Sequence, residues 1–372
     1  MWNLKDIKYM QQVLDIAKKG YAKTWPNPMV GAVLVKNNKV LSLGWHKAYG
    51  KIHAESQAIN KAGSLAKGAT LYINLEPCSH YGQTPPCAPK IVKAGIKRVV
   101  VAMQDPNPKV SGRGFKILRQ AGIKVEVGIL GSAARELNKV FIKNITKSLP
   151  WVVCKSALSL DGKIACTNGV SKWISSLKAR KYAHTLRALA DAIIIGSNTL
   201  YQDDPELTIR WVNRISKPYP LRIVLEGSKP LPKSFKMLKT VTNEKPLIIA
   251  TPKKTYHFLA KHKGVEIWSL PDKKGSVDID LLLHKLSEMK KSLVLVEGGA
   301  QVQASFLGTN GSKLWADEIQ FILAPKLLGG NKALGPIGGK GVKTPDQAIK
   351  LKNITWQPLG QDMLVKATPY CC

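Results

Sequence analysis

Cysteine, acidic side chains and long apolar runs are all scarce in this 372-residue chain. Six cysteines are too few for a disulfide scaffold in a chain of this length. No uncharged apolar run approaches the roughly 18 residues that a membrane-spanning helix needs. The first residues also lack the apolar core of a signal peptide. These absences argue against a disulfide-rich secreted protein and a membrane protein, so we expect a soluble, cytoplasmic protein.

The scarcity of acidic residues, 24 against 57 lysines and arginines, gives a formal net charge of +33. The excess is spread evenly, since residues 1–150 carry 24 basic and 7 acidic side chains and residues 151–372 carry 33 and 17. No basic run exceeds two residues, so the block of charge typical of phosphate-backbone binding is missing. We attribute the charge to a lysine-rich composition and anionic small substrates, and expect no nucleic-acid partner. A polyanion-binding surface is the alternative.

The chain does have the composition of a globular protein, with 44% hydrophobic and 22% charged residues. Its length favours two domains. Helical and strand-like patterns alternate on both sides of the segment 148–150, which is the best candidate boundary. We therefore predict an α/β protein with one domain over residues 1–148 and a second over 149–372.

Apolar spacing locates the main elements of both domains. In the first domain it predicts helices over about 6–19, 53–62 and 113–121, and strands over 30–35, 70–75, 98–102 and 125–127. In the second domain it predicts a helix near 177–189 and strands over 152–156, 192–195, 221–225, 247–250 and 293–296.

One imidazole and two thiols in the first domain have the proportions of a catalytic zinc site, which keeps its fourth position for water. His53 begins a predicted helix, Cys78 follows a predicted strand, and Cys87 comes nine residues later. We expect His53 and Cys78 at helix N-termini, where the dipole favours a thiolate. Glu55 is close enough in sequence to move a proton between a zinc-activated hydroxide and a leaving amine. The order of these residues is typical of zinc deaminases.

The gap between the two cysteines indicates which deaminases are most similar. Eight residues, Ser-His-Tyr-Gly-Gln-Thr-Pro-Pro, separate them instead of the usual two. With Pro-Asn-Pro at 26–28 and Asp-Pro-Asn-Pro at 105–108, this motif resembles the bacterial bifunctional riboflavin-biosynthesis deaminase–reductase family. The resemblance extends from about residue 10 to residue 362, which is nearly the whole chain.

For the first domain, the resemblance implies a cytidine-deaminase-like three-layer α/β/α fold that deaminates a phosphorylated pyrimidine ribosylamine. It implies zinc (Zn2+) held by His53, Cys78 and Cys87, with Glu55 as the catalytic proton shuttle. It also implies that Asn27 binds the substrate's base.

Two histidines of the first domain leave alternatives open, and two other positions depart from the family. His80 is either a substrate contact or an alternative ligand, and His46 either meets the substrate phosphate or stabilises a turn. The chain departs from the family at Ile52, where proline is common, and at Gln83, where arginine is frequent. The second departure would weaken a phosphate or loop contact.

The second domain contains no G-x-G-x-x-G sequence, so a standard dinucleotide-binding loop is excluded. Instead, the predicted strand 293–296 leads into Glu297-Gly-Gly-Ala300, a turn that can present N–H groups to phosphate. Segments 155–163, 169–174 and 196–210 are similar to the reductase half of the same family. This similarity implies a dihydrofolate-reductase-like α/β domain that uses NADPH to reduce the ribosyl group to ribityl.

The resemblance also assigns residues to the cofactor and the substrate of this reduction. The cofactor would contact Ala157, Trp173, Thr199, Asp203, Gly299, Ala300, Gln301, Val302, Gln303, Ala304 and Ser305. The substrate would contact Ser171, Arg187, Leu207, Arg210 and Glu297. Where the family has Asp-Ser, this chain has Glu226-Gly227, with Ser228 one place on, so no contact is assigned to that hydroxyl.

The chemistry of the reduction adds two candidate catalytic residues. The sugar's cyclic aminal must open to an imine before hydride reaches its C1, which requires an acid–base pair. We assign Lys155 and Asp203 to this pair; a lysine paired with a carboxylate at the end of a strand is the alternative. Arg187 and Arg210 suit phosphate, because arginine presents a fork of donors.

Two rival functions and one assembly state complete the predictions. A nucleic-acid (tRNA) base deaminase with a fused accessory domain would account for the charge, and a basic zinc-stabilised binding module would need no catalysis. The eight-residue gap between the cysteines argues against the first rival, and Glu55 has no role in the second. The family resemblance also implies a homo-oligomer.

Overall fold

The computed structural model describes residues 2–82, 84–212, 218–227, 231–253, 259, 261–309 and 311–371. Gln83 and Ser228, which carry two of the departures above, lie outside these residues. The chain divides into two compact units, Met1–Ser148 and Leu149–Cys372. Within the described ranges, no helix has the length and apolar character that crossing a membrane requires.

In the first unit, five described strands form one sheet in the order β2-β1-β3-β4-β5. They are β1 (Gly31–Lys36), β2 (Lys39–Trp45), β3 (Thr70–Ile73), β4 (Arg98–Val101) and β5 (Lys124–Val127). Strand β1 pairs antiparallel with β2 and β3, whereas β3, β4 and β5 run parallel. The carboxyl ends of β3 and β4 therefore open onto the same edge of the sheet.

Helices cover both faces of this sheet. They are α1 (Leu4–Ala17), α2 (Ala54–Ala62), α3 (Cys87–Lys93), α4 (Arg113–Gln120), α5 (Gly131–Leu137) and α6 (Lys139–Lys147). Successive strand residues point to opposite faces. Leu34 and Leu71 pack with residues of α2, α3 and α4, whereas Val33 and Tyr72 pack with residues of α1, α5 and α6. The unit is a three-layer α/β/α sandwich.

The first helix begins two residues before the predicted start because of its cap. The Asn3 side chain accepts a hydrogen bond from the Asp6 N–H at 2.7 Å, which satisfies one of the free donors of the first turn. The Asp6 carboxylate in turn accepts from the Arg98 guanidinium at 2.8 Å. These contacts fix the first helix to strand β4.

In the second unit, nine described strands form one sheet in the order β10-β9-β8-β7-β11-β6-β12-β14-β13. They are β6 (Trp151–Ser159), β7 (Ala192–Gly196), β8 (Leu221–Leu225), β9 (Leu247–Thr251), β10 (Val265–Ser269), β11 (Leu293–Val296), β12 (Glu318–Ala324), β13 (Lys350–Leu359) and β14 (Asp362–Tyr370). The strands from β10 to β12 pair in parallel, and the hairpin β13–β14 adds antiparallel strands at one edge.

Short helices pack against this second sheet. They are α7 (Leu177–Leu189), α8 (Ser197–Asp203), α9 (Lys236–Lys239), α10 (Ile279–Glu288) and α11 (Ala300–Leu307). On one face, Ile194 and Val294 of the strands pack with Leu282 of α10 and Phe306 of α11. Helix α8 begins directly after β7, and α11 begins after the three residues 297–299 that follow β11, which places both first turns at the carboxyl edge of the sheet.

Candidate active sites

Three secondary-structure boundaries bring the predicted metal ligands together. His53 is the N-cap of α2, and Cys87 is the first residue of α3. Cys78 lies in the loop that follows β3, so its predicted position at a helix N-terminus is wrong. Helix α3 begins instead at Cys87, because Pro86 is extended and ends the preceding loop. The helix dipole therefore acts on the second cysteine of the motif.

The three side chains form a compact donor set. The His53 Nδ1 lies 3.6 Å from the Cys78 Sγ and 3.3 Å from the Cys87 Sγ, and all three ligand atoms lie within 4.8 Å of one another. One ring nitrogen and two sulfurs are the donor types that zinc prefers, and three protein ligands leave the fourth position open. The residues present therefore fit a catalytic zinc ion.

Thr84 orients the histidine ligand. Its Oγ1 lies 3.2 Å from the His53 Nε2, so the hydroxyl can accept the proton of that nitrogen and leave Nδ1 facing the sulfurs. Partners of this kind fix the tautomer and the ring orientation of ligating histidines. Thr84 belongs to the motif between the cysteines, but the sequence alone indicates no role for it.

Glu55 lies in the first turn of α2 and is only 4% exposed. Burial raises the pKa of its carboxyl to about 7. A group with such a pKa can both take and give a proton at neutral pH. A hydrogen bond with Cys87 lowers the pKa of the Cys78 thiol, so a thiolate is available as a ligand.

His53, Cys78 and Glu55 line a cavity of about 220 Å³. Its other lining residues are Asn27, Pro28, Val30, His46, Tyr49, Gly50, Lys51, Leu75, Glu76, His80, Gly82, Thr84, Asp105, Asn107, Val110 and Phe141. The Asn27 amide nitrogen lies 3.3 Å from the His46 Nε2, and burial lowers the pKa of His46 to about 4. His46 is thus a neutral partner of Asn27. His80 is exposed and, among the described residues, stands outside the metal cluster.

Two buried amides fix the segment that carries Asn27. The Asn138 Oδ1 accepts from the Met29 N–H at 2.8 Å, and its Nδ2 donates to the Met29 carbonyl at 3.0 Å. The Asn74 Nδ2 donates to the same carbonyl at 2.9 Å. Neither asparagine was singled out from the sequence. Asn138 lies 109 residues from Met29, so no local pattern could have indicated the contact.

Glu76 holds the loop that follows β4 against the cavity. Its carboxylate accepts backbone N–H bonds from Asp105 at 3.2 Å, Gly112 at 2.9 Å and Gly114 at 2.9 Å. Gly114 approaches so closely that a Cβ there would lie 2.1 Å from the Pro77 carbonyl oxygen. Glu76, two residues before the ligand Cys78, is therefore a positioning residue.

A second cavity, of about 460 Å³, lies in the second unit. Most of the residues predicted to bind cofactor or substrate there line it together. They are Lys155, Ala157, Ser171, Trp173, Arg187, Thr199, Asp203, Leu207, Arg210, Glu297 and Gly299.

The predicted cofactor residues 300–305 lie in helix α11, beyond the described lining of this cavity. The Gln303 side chain is buried and donates to the Lys155 carbonyl at 3.0 Å. Val302 packs so closely that a Cβ at Gly298 would lie 2.5 Å from the Val302 Cβ. The side chains of Val302 and Gln303 therefore hold the helix on the sheet. The cofactor contacts assigned to residues 300–305 stay a prediction.

Arg187 and Glu297 bind each other. The Arg187 Nε donates to one carboxylate oxygen of Glu297 at 2.8 Å and its Nη2 to the other at 2.7 Å. Burial alone would raise the pKa of Glu297, but the Arg187 guanidinium outweighs it and lowers that pKa to about 2. The Nε and Nη2 donors of Arg187 are occupied by this carboxylate. They are therefore not free for the bidentate phosphate contact that was predicted for Arg187.

The two predicted acid–base residues stand in different surroundings. Burial lowers the pKa of the Lys155 ammonium, although the Glu297 carboxylate opposes this effect. Asp203 ends helix α8, and its Oδ1 accepts from the Ser171 hydroxyl at 2.7 Å. Ser171 can therefore orient Asp203 in the cavity.

His184 and Arg180 line the same cavity although the sequence analysis gave them no role. The His184 Nδ1 accepts from the Arg210 N–H at 2.9 Å, so the ring fixes the backbone at Arg210. The Arg180 guanidinium lies 4.0 Å above the centre of the Trp173 ring, a cation–π contact at the mouth of the cavity. Their spacing on α7 was visible in the sequence, but their partners are distant.

Two family models match the chain, one in each unit. The model described as the cytidine and deoxycytidylate deaminase zinc-binding region matches residues 4–103. The model described as the RibD C-terminal domain matches residues 150–365.

Curated proteins and solved structures match over nearly the full length. The riboflavin biosynthesis protein RibD of Aquifex aeolicus is 43% identical over 97% of both chains, and that of Bacillus amyloliquefaciens is 40% identical over 97% of this chain and 95% of its own. The solved Acinetobacter baumannii RibD is 36% identical with a TM-score of 0.85, covering 98% of this chain and 99% of its own. A Thermotoga maritima diaminohydroxyphosphoribosylaminopyrimidine deaminase/5-amino-6-(5-phosphoribosylamino)uracil reductase is 32% identical with a TM-score of 0.82 over the same shares.

Proposed function

The chain belongs to the RibD family of bifunctional deaminase–reductases of riboflavin biosynthesis, and we propose that its two units divide the two reactions between them. The first unit would deaminate a diaminopyrimidinone carrying a ribosylamine phosphate, and the second would reduce the ribosyl group of the product. The observation that carries this assignment is the His53, Cys78 and Cys87 donor cluster beside a cavity that Glu55 also lines.

In the first unit, His53, Cys78 and Cys87 would hold the zinc ion, with Thr84 fixing the histidine ring. Zinc held by three protein ligands supplies a water of pKa ~7 as a nucleophile at neutral pH. The Glu55 carboxylate would take a proton and pass it to the leaving amine. Asn27, backed by Asn138, would orient the pyrimidine.

In the second unit, the predicted substrate contacts are Ser171, Arg187, Leu207, Arg210 and Glu297. The proposed cofactor is NADPH, which would supply the hydride. Lys155 and Asp203 would move the protons that accompany opening of the sugar ring. In this arrangement Arg187 acts by holding the Glu297 carboxylate in place, since the two side chains bind each other.

A coupled assay with and without a zinc chelator tests the division. With zinc, the protein should release ammonia from the diaminopyrimidine substrate and then oxidise NADPH. After chelation, ammonia release should stop, while NADPH oxidation with the already deaminated compound should continue. Loss of both reactions on chelation would show that they do not occupy separate units, and ammonia release at an unchanged rate would contradict the zinc site.

We also propose that the chain forms a homo-oligomer through the edge strand β13. This strand ends the second sheet and exposes Leu351, Ile354 and Trp356, the last with 63% of its surface accessible. Among the described strands, β13 has a neighbour on one side only, and an exposed edge of this kind readily pairs with a second copy. Light scattering should find an oligomer for the wild type and a monomer for Trp356→Lys. Leu281→Lys, at an exposed position of α10, is the control and should leave the oligomer intact; a Trp356→Lys oligomer of unchanged size would place the interface elsewhere.

A further inference from the structure

The charged side chains that line the first cavity are mostly acidic. Glu55, Glu76 and Asp105 are buried carboxyl groups. Apart from the histidines, Lys51 is the cationic side chain in the described lining. A phosphorylated substrate therefore meets one ammonium group there, and lysine is a common phosphate-binding point charge.

The charges are separated by depth. Glu55 and the metal ligand Cys87 are buried at the reactive end of the site, whereas Tyr49, Gly50 and Lys51 are exposed at what we term the rim. A phosphate near the buried end would lie close to the buried carboxyl groups. Repulsion between negative charges is strong in a medium of low dielectric, so that position is unfavourable. A phosphate at the rim would keep most of its hydration and lie beside an ammonium group.

The buried histidine cannot replace this lysine. The His46 side chain is buried, and its Nε2 lies 3.3 Å from the Asn27 amide nitrogen. It is therefore engaged inside the cavity, whereas Lys51 is exposed at the rim.

The backbone that carries Lys51 is fixed. The buried Gln57 amide donates to the Trp45 carbonyl at 2.7 Å and to the Ile52 carbonyl at 2.9 Å, and so closes the loop between β2 and α2. The Lys51 N–H donates to the Ala48 carbonyl at 3.1 Å. In the part of the chain that the structure describes, the Lys51 ammonium has no carboxylate partner that would compete with a ligand.

We propose that Lys51 binds the ribose phosphate of the deaminase substrate at the rim of the first cavity. This assignment rests on the proposed function. It gives the phosphate a partner that no motif in the sequence indicated, and it makes the loop closed by Gln57 part of substrate recognition.

Steady-state kinetics of the full-length zinc protein test the assignment. For Lys51→Gln, KM for the phosphorylated substrate should rise about tenfold, equivalent to ~1.4 kcal/mol, with kcat little changed. With the dephosphorylated substrate, wild type and variant should have the same KM. Lys51→Arg should restore the wild-type KM. Lys47→Gln, which removes an exposed ammonium beside the Trp45 ring in the same loop, is the matched control.

Competitive inhibition by ribose 5-phosphate gives a second measurement. Its inhibition constant should rise about tenfold in Lys51→Gln, whereas weak inhibition by ribose should not change. A KM that is unchanged, or that rises equally with and without the phosphate, would overturn the assignment. Absence of ammonia release by the wild type would instead overturn the proposed function, and the role of Lys51 with it.

Discussion

Glu55→Gln should bind zinc normally and lose deamination, with kcat falling by about 10²–10⁴-fold, the usual contribution of a positioned acid–base group. Glutamine keeps the size of the buried side chain but cannot carry the proton. NADPH oxidation with the deaminated compound should proceed at the wild-type rate. Ammonia release, metal content and NADPH absorbance together check the result.

The control for this variant is Glu136→Gln. Glu136 is exposed on α5 and pairs with Lys139 at 2.7 Å, away from the described lining of the cavity. It should leave both reactions and the metal content unchanged. If Glu55→Gln retained full deamination, the proton would have to be carried by another group. If it lost zinc, Glu55 would be supporting the ligands.

Arg187→Met should destabilise the second unit by about 3–5 kcal/mol, because it leaves a buried carboxylate without its partner. The Arg187 and Glu297 side chains are 14% and 8% exposed, so water replaces little of the lost contact. Urea unfolding followed by tryptophan fluorescence should show the transition of this unit at a lower midpoint. Reduction should be lost as well, since Glu297 would no longer be held.

The double variant Arg187→Met/Glu297→Met separates the stability loss from a general packing defect. Replacing both charges removes the unpaired carboxylate, so the double variant should be more stable than Arg187→Met alone. Acid should also reduce the stability that the pair contributes to the wild type. Because Arg187 lowers the folded pKa of Glu297 from 4.5 to about 2, the pair's contribution is present above about pH 4.5 and is lost as the pH falls through 2. A double variant no more stable than the single one would contradict this explanation.

The family resemblance and the α/β fold class predicted from the sequence are confirmed by the two family models and the full-length structural matches. The strands most easily predicted are those whose residues are apolar on both faces, such as β7 and β11. The pattern missed β13, because nine of its ten residues are exposed and no apolar alternation marks it. It also missed the short helix α3, which begins at a residue assigned only as a ligand.

For the first site, local motifs were enough to predict the residues that the structure brings together as metal donors. They could not predict the partners of those residues. Thr84 was visible in the motif, but its contact with the His53 ring depends on the fold of the loop. Asn138 and Gln57 bond to backbone atoms. Every residue has a backbone carbonyl, so the sequence does not indicate which one a side chain will contact.

The second site differs because its charges interact with one another. From the sequence, Arg187 and Glu297 are assigned separately to the substrate, since a resemblance carries over residues one at a time. The structure adds that they are a bidentate pair. Whether a charged side chain is free for a ligand is a property of its neighbours in space, and no motif contains it.

The two hydrogen bonds between Asn138 and Met29, which we term the clasp, bear on how long the first unit must be for deamination. The zinc donors all lie within the first 87 positions. The segment that carries Asn27 is instead held by Asn138, which directly precedes the last helix of the unit. Trimming the unit back to position 137 would spare every donor and remove the clasp. The proposed contact between Asn27 and the base would therefore depend on a residue near the end of the unit, whereas the three metal donors all precede it.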